Sequence, residues 1–243
     1  MRKALMIFSY LLLFAGMAVA AYPSVYGAVM DRKASQIAED FLSTAATVPS
    51  SGEASSTDSQ STDEMRPYAE LWDELWSYNE KLFKTSQSGM ENAAFLSETA
   101  FCLTEYGLDS EVFGVLSIPA IDLCMPLYLG ATRENMAQGA AIMGYTSIPV
   151  GSPNSNSVIC GHRGWNGAAY FLHIDKIQIG DVVTITNLWE ELNYRVTATK
   201  IISPDDLDAV KIQPGKDMVT LLSCHPVASG GKQRYLVFCE KVS

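Results

Sequence analysis

The feature that most constrains the fold is a change of pattern at Val112. From there onward the sequence consists of short runs rich in β-branched and aromatic residues, separated by turn residues. Such runs predict β-strands. The predicted strands are 112–118, 120–124, 126–130, 141–145, 157–162, 181–187, 192–202, 218–224 and 234–240. Many short strands at this close spacing indicate a mostly β domain, either a closed barrel or a sandwich.

Short helical segments are predicted between the strands. Thr132 is placed to cap a short helix that continues through Ala137, because its side-chain oxygen can accept from a free backbone N–H. A helical turn is expected around residues 168–174, and a small crossover helix at 204–209 after Pro204. The segment 65–105 shows apolar residues at helical spacing. This stripe consists of Leu71, Trp72, Leu75, Trp76, Asn79, Leu82 and Phe83.

The stripe has two interpretations. An apolar stripe of this kind usually faces a core, so Trp72 and Trp76 are expected to dock the helix onto the β domain. The alternative is that this segment covers a functional cleft.

The N-terminus carries a charge-free run at residues 4–30, preceded by Arg2 and Lys3. The run is long enough to cross a bilayer as a helix. A cleaved signal peptide is the alternative, since Ala18-Val19-Ala20 fits a small-residue cleavage site. The length favours an uncleaved anchor. Arg2 and Lys3 would then stay in the cytoplasm, which makes the chain a single-pass membrane protein with its main domain outside.

A tether is predicted between the anchor and the helical segment. Half of residues 43–64 are Ser or Thr, a composition that cannot build a core. The expected organisation is therefore an anchor at 1–30, a Ser/Thr-rich tether at 31–64 (with a short helix over 31–42), a helical extension at 65–111 and a β-barrel domain at 112–243. The net charge is −9 over residues 1–111 and −1 over residues 112–243. No basic stripe exists, so nothing indicates nucleic-acid binding.

Cys224 is the strongest candidate for a reactive group. It ends a predicted strand and is followed at once by His225-Pro226 and a glycine-containing loop, which should expose the thiol. Arg234 begins the returning strand, where its cation can favour the thiolate. A thiolate nucleophile and a guanidinium that stabilises an oxyanion are parts of an acyl-transfer site. The alternative is that Cys224 is a buried structural cysteine.

His162 is the best candidate for a proton carrier. It follows a predicted strand on a turn flanked by glycine, an open position for an imidazole. His173 lies in an apolar segment and is expected to be packed or at the surface. His225 adjoins Cys224, but consecutive residues of a strand point to opposite faces. His225 is therefore poorly placed to take a proton from the neighbouring thiol.

The remaining cysteines admit several interpretations. Cys102, Cys124, Cys160 and Cys239 lie among apolar residues and are expected to be buried. Five cysteines is an odd number for an exported chain, and a disulfide among these four stays open. A structural zinc site formed by the Cys160-x-His162 and Cys224-His225 pairs is a rival hypothesis. The spacing matches the familiar zinc motifs poorly.

Together these motifs resemble those of the sortases, the cysteine transpeptidases of Gram-positive cell surfaces. The stretch Thr220-Leu221-Leu222-Ser223-Cys224 resembles the family's Thr-Leu-x-Thr-Cys. Arg234 and His162 match the family arginine and histidine. The segments at 114–119, 126–132, 146–151 and 161–164 are similar to those of class C, the pilin-polymerising group. The resemblance covers roughly residues 112–240.

Three departures from class C are visible. No Asp-Pro lid motif precedes the barrel, and the sequence ends at Ser243, where many class C enzymes have a second membrane segment. The loop from Cys224 to Arg234 has His225-Pro226-Val227-Ala228 in place of the usual Thr-Pro-Tyr-Gly.

The resemblance implies an eight-stranded closed β-barrel with short helices, preceded by an N-terminal helical segment. It also implies that Cys224 attacks the Thr carbonyl of an LPxTG-like sorting signal to form a thioester. His162 would transfer protons and Arg234 would stabilise the oxyanion. The implied partners are surface or pilin proteins bearing that signal, and an amine from a pilin lysine or a cell-wall peptide. No metal or organic cofactor is implied. The open alternatives are a housekeeping wall-anchoring sortase, a non-catalytic peptide-binding barrel and the zinc-stabilised barrel.

Overall fold

A computed structural model of the chain describes residues 2–47, 66–90 and 101–242. The first described element is helix α1, Arg2–Thr47. Among the described residues it is the one helix long and apolar enough to cross a bilayer. It continues past the predicted anchor through residues 31–47, where a short helix followed by a tether was expected. The rest of the predicted tether, residues 48–64, lies outside the described residues.

Helix α2, Ala69–Lys84, forms from the predicted apolar stripe. It buries Leu71, Leu75, Asn79 and Leu82 on one face, so the docking interpretation is correct. The helix is shorter than the predicted span 65–105. Ser86 and Gln87 adopt positive φ angles, which helical residues do not have, and turns follow through Met90. A 3-10 turn at Leu103–Tyr106 leads into the β domain, and residues 91–100 lie outside the described residues.

The β domain is a closed barrel. Eight of the strands in residues 101–242 pair in the order β1-β2-β3-β4-β9-β10-β8-β7, and β5 and β6 form a separate hairpin. The strands are β1 Val112–Ile118, β2 Leu123–Leu129, β3 Ala140–Ile142, β4 Ser155–Cys160, β5 Arg163–Trp165, β6 Ala168–Tyr170, β7 Val182–Asn187, β8 Glu191–Ile202, β9 Asp217–His225 and β10 Gln233–Lys241. The pairs β2–β3 and β4–β9 are parallel, and the other pairs are antiparallel.

Several predicted elements differ from the structure in their bounds. The run predicted at 141–145 forms only the three-residue strand β3, and the run predicted at 157–162 begins and ends two residues earlier, as β4. The runs 120–124 and 126–130 form the single strand β2, preceded by a 3-10 turn at Pro119–Ile121. The helical turn predicted around residues 168–174 is half wrong, because residues 168–170 form strand β6 and the 3-10 turn comes later, at Ile174–Lys176. The missed signal was Asn166-Gly167. Both residues have positive φ, as a tight two-residue hairpin turn requires.

The smaller helices agree with the sequence. Helix α3 is Arg133–Met136, and the Thr132 side chain accepts a hydrogen bond from the Asn135 N–H, as a cap does. The crossover segment forms a 3-10 turn at Leu207–Val210.

The strands present two apolar faces. Val219 and Leu221 of β9 and Val237 of β10 belong to the large core inside the barrel. The alternate residues point outward, where Val158, Cys160 and Leu236 pack with Met90 and Met143 in a second cluster. Since side chains alternate along a strand, Cys224 and Arg234 belong to the outer face. The candidate residues therefore lie on the outside of the barrel wall.

Helix α2 packs on the end of the barrel away from these residues. Its Asn79 side chain bonds to Ile148 and Ser152, in the segment that precedes β4. Trp72 contacts Trp189 of the β7–β8 turn edge to face, with ring centroids 5.0 Å apart. Cys224, near the end of β9, and its partner Arg234, near the start of β10, both lie at the barrel end away from α2. The alternative that α2 covers the cleft is therefore wrong for the described helix.

Candidate active site

Cys224 and Arg234 face each other across two neighbouring strands. They are direct partners in the antiparallel β9–β10 ladder. A Cβ atom placed on Gly231 would lie 3.0 Å from Arg234 Nη1 and 3.4 Å from Cys224 Sγ, so both side chains converge on this glycine. Arg234 Nη1 donates to the carbonyl oxygens of Gly231, at 2.7 Å, and Gln233, at 3.1 Å. The loop that joins the strands thus holds the guanidinium beside the half-buried thiol.

His162 follows β4, the parallel neighbour of β9. Each β4 residue pairs with the β9 residue 62 positions later, ending at Cys160 and Leu222, and the same offset brings His162 level with Cys224. The connection continues beyond the strand, because Gly161 N–H donates to the Leu222 carbonyl at 3.2 Å. The Ser223 hydroxyl donates to the Gly161 carbonyl at 2.7 Å. Ser223 stands where the family motif has its second Thr. Its hydrogen bond therefore links the segment before His162 to strand β9, which carries Cys224.

The His162 imidazole is held by aromatic contacts. Its ring stacks on Trp165 with centroids 4.9 Å apart and an interplanar angle of 19°. Tyr170 meets it edge to face at 5.9 Å, and the Tyr170 hydroxyl donates to the Ala137 carbonyl at 2.8 Å. Burial lowers the pKa of His162 below the usual histidine value, because a less hydrated site disfavours the charged imidazolium. The imidazole is thus mainly neutral at pH 7.

Arg163 is a site residue that sequence reasoning missed. Its side chain is almost fully buried and forms an ion pair with Asp175, Nη2 to Oδ2 2.8 Å. Nε donates to the Leu172 carbonyl at 3.1 Å and Nη1 to the Cys224 carbonyl at 3.5 Å. Arg163 directly follows His162 in the chain. Its side chain therefore links the histidine segment to the end of β9, where Cys224 lies. The available signal was an arginine beside His162 in a segment otherwise free of charge.

Cys160 lies near the same pair on the outer face. Burial raises its pKa to about 12, an effect that Arg234 partly offsets and Cys224 reinforces. Cys160 therefore stays a neutral thiol at pH 7. Cys160 and Cys239 are buried as predicted, whereas the prediction is wrong for Cys102 and Cys124, which are exposed. All five cysteines are among the described residues, and none forms a disulfide.

The other two histidines are separated from the thiol. His225 lies against Tyr235, with ring centroids 5.7 Å apart, on the face of β9 opposite to Cys224, as strand alternation predicts. Its buried Nδ1 finds no hydrogen-bond partner among the described residues. His173 is exposed beside the 3-10 turn that contains Asp175. His225 turns away from the thiol, and among the described residues no group of three or more His, Cys, Asp or Glu side chains could hold a metal ion, so the zinc hypothesis finds no ligand cluster.

Comparison with known families identifies the fold that carries Cys224, Arg234 and His162. The family model for the sortase domain matches residues 116–242, more than half of the chain. The chain belongs to the sortase family. Sortase A of Bacillus anthracis is 29% identical over 127 residues, which cover 52% of this chain and 58% of that protein. This chain thus matches a little over half the length of that curated sortase.

Solved sortase structures agree over a longer range. Sortase C of Clostridium perfringens SM101 superposes with a TM-score of 0.64 at 27% identity, covering 86% of this chain and 99% of that one. Sortase C-1 of Streptococcus pneumoniae gives a TM-score of 0.65 at 27% identity, covering 86% of this chain and 98% of that one. The resemblance to class C sortases and the eight-stranded sortase barrel are confirmed.

Proposed function

We propose that this sortase is a cysteine transpeptidase that acts on a sorting signal through an acyl-enzyme thioester. The observation that carries the proposal is the convergence of the Cys224 thiol and the Arg234 guanidinium on Gly231. The β4–β9 register, continued two residues past its last pair, Cys160 and Leu222, matches His162 with Cys224 and supports the same site. A nucleophile, a proton carrier and an oxyanion donor on one barrel face are the parts that acyl transfer from a peptide requires.

In the first half-reaction the neutral His162 imidazole takes the proton of the Cys224 thiol, and the Cys224 thiolate attacks the Thr carbonyl of an LPxTG-like signal. The carbonyl oxygen becomes an oxyanion, and the fixed guanidinium fork of Arg234 stabilises it. The tetrahedral intermediate then collapses. The C–N bond breaks, the imidazolium of His162 gives its proton to the departing glycine amine, and a Thr–Cys224 thioester remains.

In the second half-reaction an amine attacks the thioester carbonyl. His162 takes the proton of the amine, and Cys224 leaves as a thiolate when the new amide forms. The low pKa that burial gives His162 keeps a neutral base available for this deprotonation at pH 7.

The proposed substrates are surface or pilin proteins that bear an LPxTG-like sorting signal. The class C neighbours favour a pilin lysine as the acceptor and a role in pilus assembly. A wall-anchoring sortase that uses a cell-wall peptide amine is the alternative, since a sortase A is among the relatives. We place the enzyme in the cell membrane through α1, with Arg2 and Lys3 in the cytoplasm and the barrel outside. In this arrangement 1–30 is the anchor, 65–111 the helical extension and 112–243 the catalytic domain.

The proposal is tested with Cys224→Ala. The full chain is incubated with a peptide that carries the sorting signal, and mass spectrometry follows the thioester and the released glycine fragment. We expect the variant to form no thioester and to lose turnover by several orders of magnitude. Cys160→Ala, which removes the nearby buried thiol, is the matched control and should still form the adduct. Full activity in Cys224→Ala would exclude the assignment.

The acceptor is tested in the same reaction. Mass analysis with candidate pilins and with cell-wall peptides distinguishes a Thr–Lys isopeptide on a pilin from a product on the wall peptide. A barrel that binds the signal without turnover, the non-catalytic alternative, would give neither product and leave Cys224 unreactive to a thiol-directed vinyl sulfone.

A further inference from the structure

Helix α1 continues without a break from its apolar run to the barrel. Side chains in its first half are exposed, for example Leu11 at 63% and Phe14 at 63%. From Tyr26 onward the helix lies on the barrel: Ala38 is fully buried, and Ile37 and Phe41 pack against a cluster on β1, β2 and β3. A rigid helix, and no loop, therefore joins the apolar run to the catalytic domain.

The first barrel element that α1 meets is the β5–β6 hairpin. A Cβ atom on Gly27 would clash with the Gly167 backbone, and a Cβ atom on Gly167 would clash with the Pro23 carbonyl oxygen. Two glycines thus allow backbone contact between the helix and the hairpin tip. One helical turn further on, Asp31 Oδ1 accepts from the Ala169 N–H at 3.4 Å. The contact lies where the charge-free run of α1 ends.

The hairpin tip has the composition of a membrane-interface segment. Its sequence, Gly164-Trp165-Asn166-Gly167-Ala168-Ala169, contains no charge, so it can approach lipid without desolvating an ion. Trp165 is 44% exposed and Tyr22, on the adjacent helix, is 63% exposed. Tryptophan and tyrosine concentrate at membrane interfaces, because an apolar ring and a polar group suit the headgroup region.

We propose that the β5–β6 hairpin is a membrane-contact surface, with Trp165 in the headgroup layer of the phospholipid bilayer that α1 crosses. The inference rests on the proposed anchoring role of α1 and on the continuity of the hairpin with that helix. Trp165 also stacks on His162. In this arrangement the candidate active site lies close to the bilayer surface.

The other end of the barrel points away from the membrane. Ala45 of α1 lines a groove with Tyr68 and Leu188, next to the α2 docking site. At 1.5 Å per helical residue, Gly27 and Ala45 are about 27 Å apart along the helix. Trp72, Trp76 and Trp189 thus lie roughly that much further from the lipid than Trp165 does.

The four tryptophans of the chain make this arrangement measurable. The full chain is placed in nanodiscs of phosphatidylcholine with or without bromine on the acyl chains, since bromine quenches only nearby indoles. We expect brominated lipid to reduce tryptophan emission in the wild type and in Trp189→Phe, but not in Trp165→Phe. Equal quenching in Trp165→Phe and the wild type would overturn the proposal. The proposal would also be overturned if Trp165 lost its quenching in discs that hold two copies of the chain. A second chain, and not lipid, would then cover the β5–β6 hairpin.

A matched pair of helix substitutions tests the contact itself. Gly27→Leu places a side chain against Gly167, whereas the Cβ position at Gly16 has no neighbour within 4 Å. Gly27→Leu should weaken the quenching of Trp165, and Gly16→Leu should leave it at the wild-type level. Equal quenching in both variants would contradict the proposed contact.

Flotation of each variant with lipid vesicles tests anchoring by α1 separately from the contact of the hairpin with lipid. A chain that does not float refutes anchoring by α1. A chain that floats without quenching of Trp165 refutes only the contact surface.

Discussion

The two ends of the barrel differ in the partners that hold their key polar side chains. At the α2 end, the buried Asn79 amide donates to the Ile148 carbonyl and to Ser152 Oγ and accepts from the Ile148 N–H, each at 2.8 Å. Trp189 Nε1 donates to the Pro67 carbonyl at 2.6 Å. At the other end, Arg234 Nη1 donates to two loop carbonyls, and His162 is held by ring contacts.

This difference indicates that the two ends serve different purposes. Closed polar networks such as that of Asn79 contribute stability and a unique docking geometry. Donors that do not end on a protein carboxylate, such as those of Arg234, remain available to a developing negative charge. Substitutions at the α2 end should therefore change the free energy of unfolding, and those at the site end should change the rate.

The largest difference between the effect on rate and the effect on stability is expected for Arg234→Lys. Lysine keeps the charge but loses the planar fork, so we expect transpeptidation to fall by about 100-fold or more. The melting temperature should stay close to that of the wild type, because Arg234 is only partly buried. Steady-state kinetics and thermal unfolding measure the two effects, with Arg195→Lys, an exposed residue of β8, as the control. A normal rate would remove Arg234 from the oxyanion role.

Asn79→Ala should produce the reverse pattern. It leaves the Ile148 N–H buried without a partner, whereas the Ile148 carbonyl still accepts from the Val150 N–H, so we expect a loss of about 1–3 kcal/mol of unfolding free energy. Denaturant unfolding measures this loss, and Gln138→Ala, an exposed amide, serves as the control. The rate per folded molecule should be unchanged at a temperature where the variant is folded. A reduced kcat there would show that the two ends are coupled.

Arg163→Lys should affect both properties, because Arg163 joins the histidine segment to Cys224. A lysine can keep the ion pair with Asp175 but cannot also serve both the Leu172 and the Cys224 carbonyls. We expect unfolding free energy to fall by about 1–2 kcal/mol and kcat by roughly 10-fold, with little change in KM. A change confined to KM would mean that Arg163 contacts the substrate and does not position the site.

The smallest effect is expected for Trp165→Ala, which exposes the His162 ring. The pKa of His162 should rise toward the usual histidine value, because burial is what lowers it. Folded His162 binds protons less readily than unfolded His162, so its burial reduces stability as the pH falls below the usual histidine pKa. The variant should weaken this dependence. NMR titration of the imidazole protons measures the shift, with Trp189→Phe as the control; an unchanged pKa would assign the burial to other groups.

Sequence reasoning predicted the elements whose signals are local. Strand β1 was placed at its observed bounds, and β7, β8, β9 and β10 within one residue, because β-branched runs between turn residues specify strands wherever they occur. The thiol and guanidinium were paired correctly, since β9 and β10 are consecutive and joined by a short loop. The β5–β6 hairpin was missed because two three-residue strands hold too few residues to show alternation, although Asn166-Gly167 carried the turn signal.

What the sequence by itself determined is most of the barrel strands, the α2 stripe and the pairing of Cys224 with Arg234. Only the tertiary structure decided that β4 pairs in parallel with β9, which brings the strand end before His162 beside the strand end that carries Cys224. It also decided that Arg163 joins these strands and that α2 packs on the far end of the barrel. The physical reason is that periodicity and turn chemistry depend on neighbouring residues, whereas strand order and helix docking depend on burial summed over the whole chain.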